Sequence, residues 1–232
     1  MKQEKNEHVK TFWEKQLKQL KLKRAEEIAN IISHGIGIGL AVAGVVLLVV
    51  LGAIYGNVWH IVSFAVFGTS MILLYLASTL YHSAKKPNLK FKLNKFDHCA
   101  IYVLIAGSYT PLALVSLRGW IGWTLFGVVW FLALAGIIFK IWFYKPKWSK
   151  LSTWLYIAMG WLIVLAIVPL IHSVPNTSLW FFLAGGLSYT GGVAFFLYSN
   201  KVPFFHFVFH IFILAGSICH FFSFLFLLPL YR

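Results

Sequence analysis

Seven apolar stretches, each close to the length that crosses a lipid bilayer, constrain this chain more than any other feature. They lie at residues 28–55, 58–82, 97–117, 120–140, 151–171, 178–199 and 204–228. A helix needs about 20 mainly apolar residues to cross the hydrocarbon core. Only 11% of the 232 residues are charged, against about 25% in a soluble domain. We therefore expect an all-α polytopic membrane protein with a bundle of seven transmembrane helices, and not a soluble enzyme, a disordered chain or a disulfide scaffold.

The basic residues predict the orientation of the bundle. Of the 20 Lys and Arg, eight lie in residues 1–24, five in 85–95, four in 140–150 and one at 201. If seven helices alternate in direction, all 18 lie on one side, and only Arg118 and Arg232 lie on the other. Because basic residues are enriched in cytoplasmic loops, we expect a cytoplasmic N-terminus and an external C-terminus. Basic residues in short loops also argue against nucleic-acid binding, despite a net charge of +14.

Residues 1–27 differ in character from the rest of the chain. They are polar and basic, with spaced apolar residues at Phe12, Trp13, Leu17, Leu20 and Leu22. This pattern predicts an amphipathic cytoplasmic helix that lies on the membrane surface. The seven-helix domain would then occupy residues 28–232, and its short connections predict antiparallel neighbours.

Residues 28–232 contain one acidic side chain, that of Asp97. An ionisable group within a membrane segment costs about 2.5–3.5 kcal/mol and is therefore a candidate functional residue. Asp97 is predicted at the cytoplasmic start of the third span. The alternative to a functional role is a helix N-cap or first-turn acid, worth about 0.3–1 kcal/mol.

Three histidines are predicted to lie at the same membrane depth as Asp97. His82 ends the second span, while His206 and His210 begin the seventh and share one helix face. Three imidazoles and one open position are typical of catalytic zinc, which makes hydroxide available at neutral pH from a bound water. Asp97 would orient or deprotonate that water, or bind the metal directly. Ser78, one turn before His82, would donate a hydrogen bond into the site.

Other polar residues in the spans are assigned different roles. His220 lies about 15 Å deeper than His210 by helix rise, so it cannot share the metal. We expect His220 to form an interhelical hydrogen bond, with an intramembrane proton or substrate role as the alternative. His34 is interpreted either as a residue beside the site or facing the substrate, or as a buried structural histidine. His98 is expected to point away from the site, and Cys99 is a poor candidate ligand because of its angular position.

Several segments of the chain resemble the hemolysin III proteins, the bacterial branch of the progestin and adipoQ receptor (adiponectin receptor-like) family. The matching segments are residues 26–35, 78–83, 97–101, 106–111 and 206–221. They combine a serine four residues before a histidine, a single aspartate, and two histidines four residues apart followed by His-Phe. The resemblance extends from about residue 25 over nearly the whole remaining chain.

The resemblance implies a seven-helix bundle in the cell membrane, the inner membrane of a bacterium, with the N-terminus inside. It also implies a Zn²⁺ site formed by His82, His206 and His210, with Asp97 and Ser78 beside it. Relatives of the adiponectin receptors are similar to ceramidases, which hydrolyse lipid amides, and some bacterial members are linked to membrane lipid homeostasis.

We therefore expect an integral membrane zinc-dependent hydrolase that acts on a lipid amide or ester, with a membrane lipid as its substrate or ligand. One alternative is a cytolysin or pore-former, which the family name suggests. The other is a non-catalytic sensor or receptor of membrane state that holds zinc. A structural zinc site usually closes with four protein ligands, and only three good ones are apparent here.

Overall fold

The fold consists of helices joined by short connections. The computed structural model describes residues 2–143 and 148–231, and the side chains of 17, 19–143, 148 and 150–230. The helices are α1 Lys2–Tyr55, α2 Val58–Ser83, α3 Pro87–Pro111, α4 Trp120–Ile138, α5 Ser149–Gly160, α6 Ile167–Ser173, α7 Asn176–Tyr198 and α8 Phe205–Leu225. Across the described ranges there is no strand, and seven segments are long and apolar enough to cross a membrane, α5 and α6 together forming the fifth. The prediction of an all-α, seven-span membrane protein is confirmed.

The first helix is continuous from the polar N-terminal segment into the first span. Its 54 residues make a rod about 81 Å long, more than twice the ~30 Å hydrocarbon core, so part of it must lie outside that core. The predicted apolar residues Phe12 and Trp13 lie outside the described side chains. The division at residue 27, the surface position of the first segment and the orientation of the termini stay predictions.

The third span begins earlier than predicted. The helix starts at Pro87. A proline is tolerated at this position because the N–H that it lacks would have no partner within the helix. Asp97 therefore lies ten residues inside α3, so the interpretation of Asp97 as a helix N-cap is wrong. The first turns do not form part of an apolar run because lysines occupy them: Lys92 is exposed and Lys90 is partly buried.

The fifth span is broken rather than continuous. The helix α5 ends at Gly160, and a 3₁₀ segment, Leu162–Ala166, precedes α6. Pro169 contributes to the break, because it has no N–H to bond the carbonyl four residues earlier. The Tyr109 hydroxyl fills the gap: it lies 2.7 Å from the Gly160 carbonyl and accepts from the Ile163 N–H at 2.9 Å.

Close helix contacts bring α1, α2 and α3 together. A Cβ at Gly68 would overlap the side chain of Val45 on α1, and a Cβ at Gly107 would overlap Ser70 on α2. Small residues of this kind let transmembrane helices approach closely. We call the end of the bundle where α2 ends and α3 and α8 begin the basic end. The candidate site lies there.

Candidate metal centre

Three histidines from two helices converge at the basic end. His82 lies in the last turn of α2, and His206 and His210 lie in the first two turns of α8. One ligand atom from each lies within 4.8 Å of the others. The ring centroids are 4.8 to 5.1 Å apart. His82 and His210 are buried and His206 is partly buried. The structure thus brings together the three histidines that the sequence predicted as ligands.

The chemistry of this cluster fits a zinc ion. The Nε2 atoms of His82 and His206 are buried and have no hydrogen-bond partner. A buried polar atom left unpaired costs about 1–3 kcal/mol. A metal ion bound by imidazole nitrogens would satisfy several such atoms at once, and neutral imidazole is a favoured ligand for Zn²⁺. The cluster therefore offers the three protein ligands that are typical of a catalytic zinc site.

Helix α1 holds His82 from outside the cluster, through a contact that the sequence did not predict. Oε2 of Glu27 lies 2.6 Å from Nδ1 of His82, and Lys90 donates to Oε1 of the same carboxylate, also at 2.6 Å. Nδ2 of Asn30 lies 3.5 Å from the same His82 nitrogen. Since Nδ1 is engaged by Glu27, Nε2 is the nitrogen of His82 that remains for a ligand.

The next turn of α1 contacts His210. The Ser33 hydroxyl lies 3.3 Å from Nδ1 of His210 and donates to the Asn30 carbonyl at 3.0 Å. The His34 ring stacks on the His210 ring with 3.6 Å between centroids and 10° between planes. His34 is only 3% exposed and lines the adjacent cavity, which agrees with its interpretation as a residue beside the site. The sequence spacing of these α1 residues could have indicated that they act together, since residues 27, 30 and 34 share one helix face.

Asp97 and Ser78 line the same cavity as His206 and His210. The Ser78 hydroxyl interacts with the Asp97 carboxylate. Ser78 is buried and Asp97 is partly buried. Asp97 does not belong to the histidine cluster, whose ligand atoms, among the described side chains, lie within 4.8 Å of one another. The catalytic roles predicted for Asp97 and Ser78 stay predictions.

A lysine at the predicted end of the fourth span is buried. Lys140 is 1% exposed, because the chain forms a π-helix over Phe139–Phe143 at the end of α4. Its ammonium lies 3.5 Å from the Ser152 hydroxyl and interacts electrostatically with Asp97. The carboxylate of α3 therefore lies within electrostatic range of a buried cation.

A cavity of about 1070 Å³ extends from the candidate site into the bundle. Most of its lining is apolar and comes from α3 and α5–α8, as with Leu104, Ile105, Leu179, Leu183 and Ile213.

His220 lines the deeper part of this cavity and donates from Nε2 to the Phe182 carbonyl on α7 at 3.3 Å. The expected interhelical hydrogen bond of His220 is confirmed. His98 also lines the cavity, and neither His98 nor Cys99 belongs to the histidine cluster.

Comparison with known proteins extends these observations. The sequence model of the family described as haemolysin-III related matches residues 22–221. The chain is 48% identical to the hemolysin-3 homolog of Bacillus subtilis (strain 168) over 201 residues, which cover 87% of this chain and 93% of that protein. It is 47% identical to hemolysin-3 of Bacillus cereus over 201 residues, with 87% and 91% covered. The human monocyte to macrophage differentiation factor is 28% identical over 204 residues, with 85% and 82% covered.

Proposed function

The chain belongs to the haemolysin-III related family, and on that basis we propose that it is a zinc-dependent membrane hydrolase acting on a lipid amide or ester, similar in chemistry to a ceramidase. The observation that carries the proposal is the convergence of His82, His206 and His210 beside a largely apolar cavity. Its role in the cell would be the turnover of a membrane lipid.

The residues of the site divide into two groups by function. The three histidines would hold the metal, which would supply a Lewis acid and a water activated at neutral pH. Asp97 would accept a proton at its carboxylate, since it lines the same cavity without belonging to the histidine set. The Ser78 hydroxyl, which interacts with the Asp97 carboxylate, would orient it by donating a hydrogen bond.

The cavity suits a substrate with a polar group attached to a long apolar chain. At about 1070 Å³ it is as large as the upper range of small-molecule sites, which are about 300–1,000 Å³. The acyl chain of a lipid could bind among the apolar side chains with which α3 and α7 line the cavity, and its amide or ester group could lie at the histidines. Filling the cavity with acyl chain would exclude water from all but the reacting end.

The orientation of the bundle is a further part of the proposal. With 18 of the 20 basic residues on one side, the positive-inside rule gives a cytoplasmic N-terminus. The histidine cluster would then open toward the cytoplasmic leaflet of a bacterial inner membrane, from which the lipid substrate would come.

Cytolysis is a second candidate function, favoured by the name of the Bacillus cereus relative, hemolysin-3. A non-catalytic sensor that holds zinc is a third candidate, since the histidine cluster could bind a metal without turnover. A cytolysin would release dye from liposomes without hydrolysing lipid. A sensor would bind zinc but would cause neither dye release nor lipid hydrolysis.

The test uses purified protein in lipid nanodiscs. Zinc-loaded protein is incubated with a panel of lipid amides and esters, and release of fatty acid is measured by mass spectrometry. The expected result is release by the wild-type protein and none by a variant carrying His206→Ala and His210→Ala. Zinc-loaded protein that releases no fatty acid from any lipid in the panel would contradict the hydrolase proposal.

A further inference from the structure

We propose that Glu27 is a positioning residue of the metal site, which holds the His82 ring with Nε2 turned toward the other two histidines. This inference rests on the proposed metal site, and adds to it a residue on a helix that contributes none of the three ligands. Glu27 and His82 are 55 positions apart in the chain, and their contact joins α1 to α2.

The direction of the hydrogen bond follows from the chemistry of the two groups. An ionised carboxylate only accepts hydrogen bonds, so Nδ1 of His82 carries the proton that lies between it and Oε2, at 2.6 Å. In a neutral imidazole the other nitrogen then carries the lone pair. That nitrogen, Nε2, is buried and has no hydrogen-bond partner, as expected of an atom prepared for a metal.

Lys90 keeps this carboxylate in place. Its ammonium donates to Oε1 of Glu27 at 2.6 Å, while Oε2 faces His82. The side chains of Glu27 and Lys90 are 38% and 31% exposed, whereas that of His82 is 4% exposed. The ion pair thus lies at the rim of the site and fixes the carboxylate that reaches inward. With both oxygens engaged, Glu27 has little freedom to rotate away from the ring.

A parallel contact supports the same interpretation of α1. The Ser33 hydroxyl donates its only proton to the Asn30 carbonyl, so toward His210 it can only accept. Nδ1 of His210, 3.3 Å away, is therefore the donor, which again leaves Nε2 with its lone pair. One face of α1 thus selects the same tautomer in one ligand on α2 and one on α8.

Such contacts have a known effect on metal sites. A ligating histidine that donates its second ring N–H to a carboxylate is held in one tautomer and one orientation, and loss of the carboxylate typically weakens metal affinity 10–100-fold. Without Glu27, the Nδ2 amide of Asn30 remains 3.5 Å from Nδ1 of His82. As a donor, that amide favours a lone pair on Nδ1 and a proton on Nε2, which is the tautomer that cannot bind the metal through Nε2.

The experiment compares four purified proteins: wild type, Glu27→Ala, Glu27→Gln and Glu26→Gln. Glu26 is the matched control, because it is the adjacent carboxylate and lies about 100° away around α1. Zinc affinity is measured by competition with a fluorescent chelator. Affinity is expected to fall about 10–100-fold in Glu27→Ala and less in Glu27→Gln, whose carbonyl oxygen can still accept from Nδ1. Glu26→Gln should bind as the wild type does.

A second readout does not require metal. The histidine ring nitrogens of the zinc-free proteins are examined by ¹⁵N NMR, with His82 assigned by its loss in His82→Ala. The wild type and Glu26→Gln are expected to carry the His82 proton on Nδ1, and Glu27→Ala to carry it on Nε2. Melting temperatures measured in parallel separate a local change of tautomer from a general loss of structure.

The outcomes separate this inference from the proposed function. If the wild type binds zinc and both Glu27 variants bind it within twofold of the wild type, Glu27 does not position the site and the inference is wrong. If the wild type binds no zinc, the proposed function fails, and the tautomer of His82 in Glu27→Ala still decides whether Glu27 sets the ring. An unchanged tautomer in that variant overturns the inference in either case.

Discussion

Replacing Asp97 with Asn separates the chemistry of the carboxylate from its contribution to the fold. The amide keeps the shape of the side chain and an oxygen that can accept from Ser78, but it removes the negative charge. If Asp97 is the general base, hydrolysis should fall about 10²–10⁴-fold, equivalent to about 2.7–5.5 kcal/mol of transition-state stabilisation. Zinc content should not change, because Asp97 is not a member of the histidine cluster.

The structure also predicts a loss of stability in this variant. Lys140 is 1% exposed and interacts electrostatically with Asp97, so Asp97→Asn leaves a buried cation without that charge. Breaking a fully buried ion pair costs about 3–5 kcal/mol. The cost here should be smaller, because Asp97 is only partly buried.

A second substitution distinguishes the two effects. In the double variant Asp97→Asn with Lys140→Met, the buried positive charge is gone, so the melting temperature should recover toward the wild-type value while activity stays low. Zinc content, melting temperature and fatty-acid release are measured on all the variants. Wild-type activity in well-folded, zinc-loaded Asp97→Asn would refute the role of this carboxylate as the base and would favour the sensor.

Two further predictions concern the bundle itself. A reporter fused after Arg232 should be external and one inserted within residues 85–95 should be cytoplasmic, because 18 of the 20 basic residues lie on one side; a cytoplasmic reporter after Arg232 would contradict the orientation. Tyr109→Phe should lower the free energy of unfolding by about 1–3 kcal/mol, measured by detergent denaturation, because it leaves the buried N–H of Ile163 without its partner. The control Tyr198→Phe, at an exposed position, should change it little, and equal effects in both variants would contradict the role of Tyr109 in the break.

The spans and the histidine cluster could be predicted because both depend on local or topological properties. Hydropathy over about 20 residues identifies a span without knowledge of its neighbours. Antiparallel connections then bring the end of α2 and the start of α8 to one depth, which gathers His82, His206 and His210. Neither step requires knowledge of which face each helix turns toward its neighbours.

Contacts between helices could not be predicted in this way. The pairing of Glu27 with His82 and Lys90 depends on which face α1 turns toward α2 and α3, and apolarity on all sides of a transmembrane helix gives little information about that. The burial of Lys140 could not be predicted either, because it follows from a local π-helix that hydropathy does not report.

The number of zinc ions bound per chain tests the central claim most directly. Purified wild-type protein, a variant carrying both His206→Ala and His210→Ala, and His220→Ala are analysed by elemental mass spectrometry. We predict about one zinc per chain in the wild type, since a catalytic site with three protein ligands holds one ion. His220→Ala should retain the same amount, because His220 bonds the Phe182 carbonyl and lies outside the cluster. The double variant should lose the zinc, and a double variant with as much zinc per chain as the wild type would contradict the account.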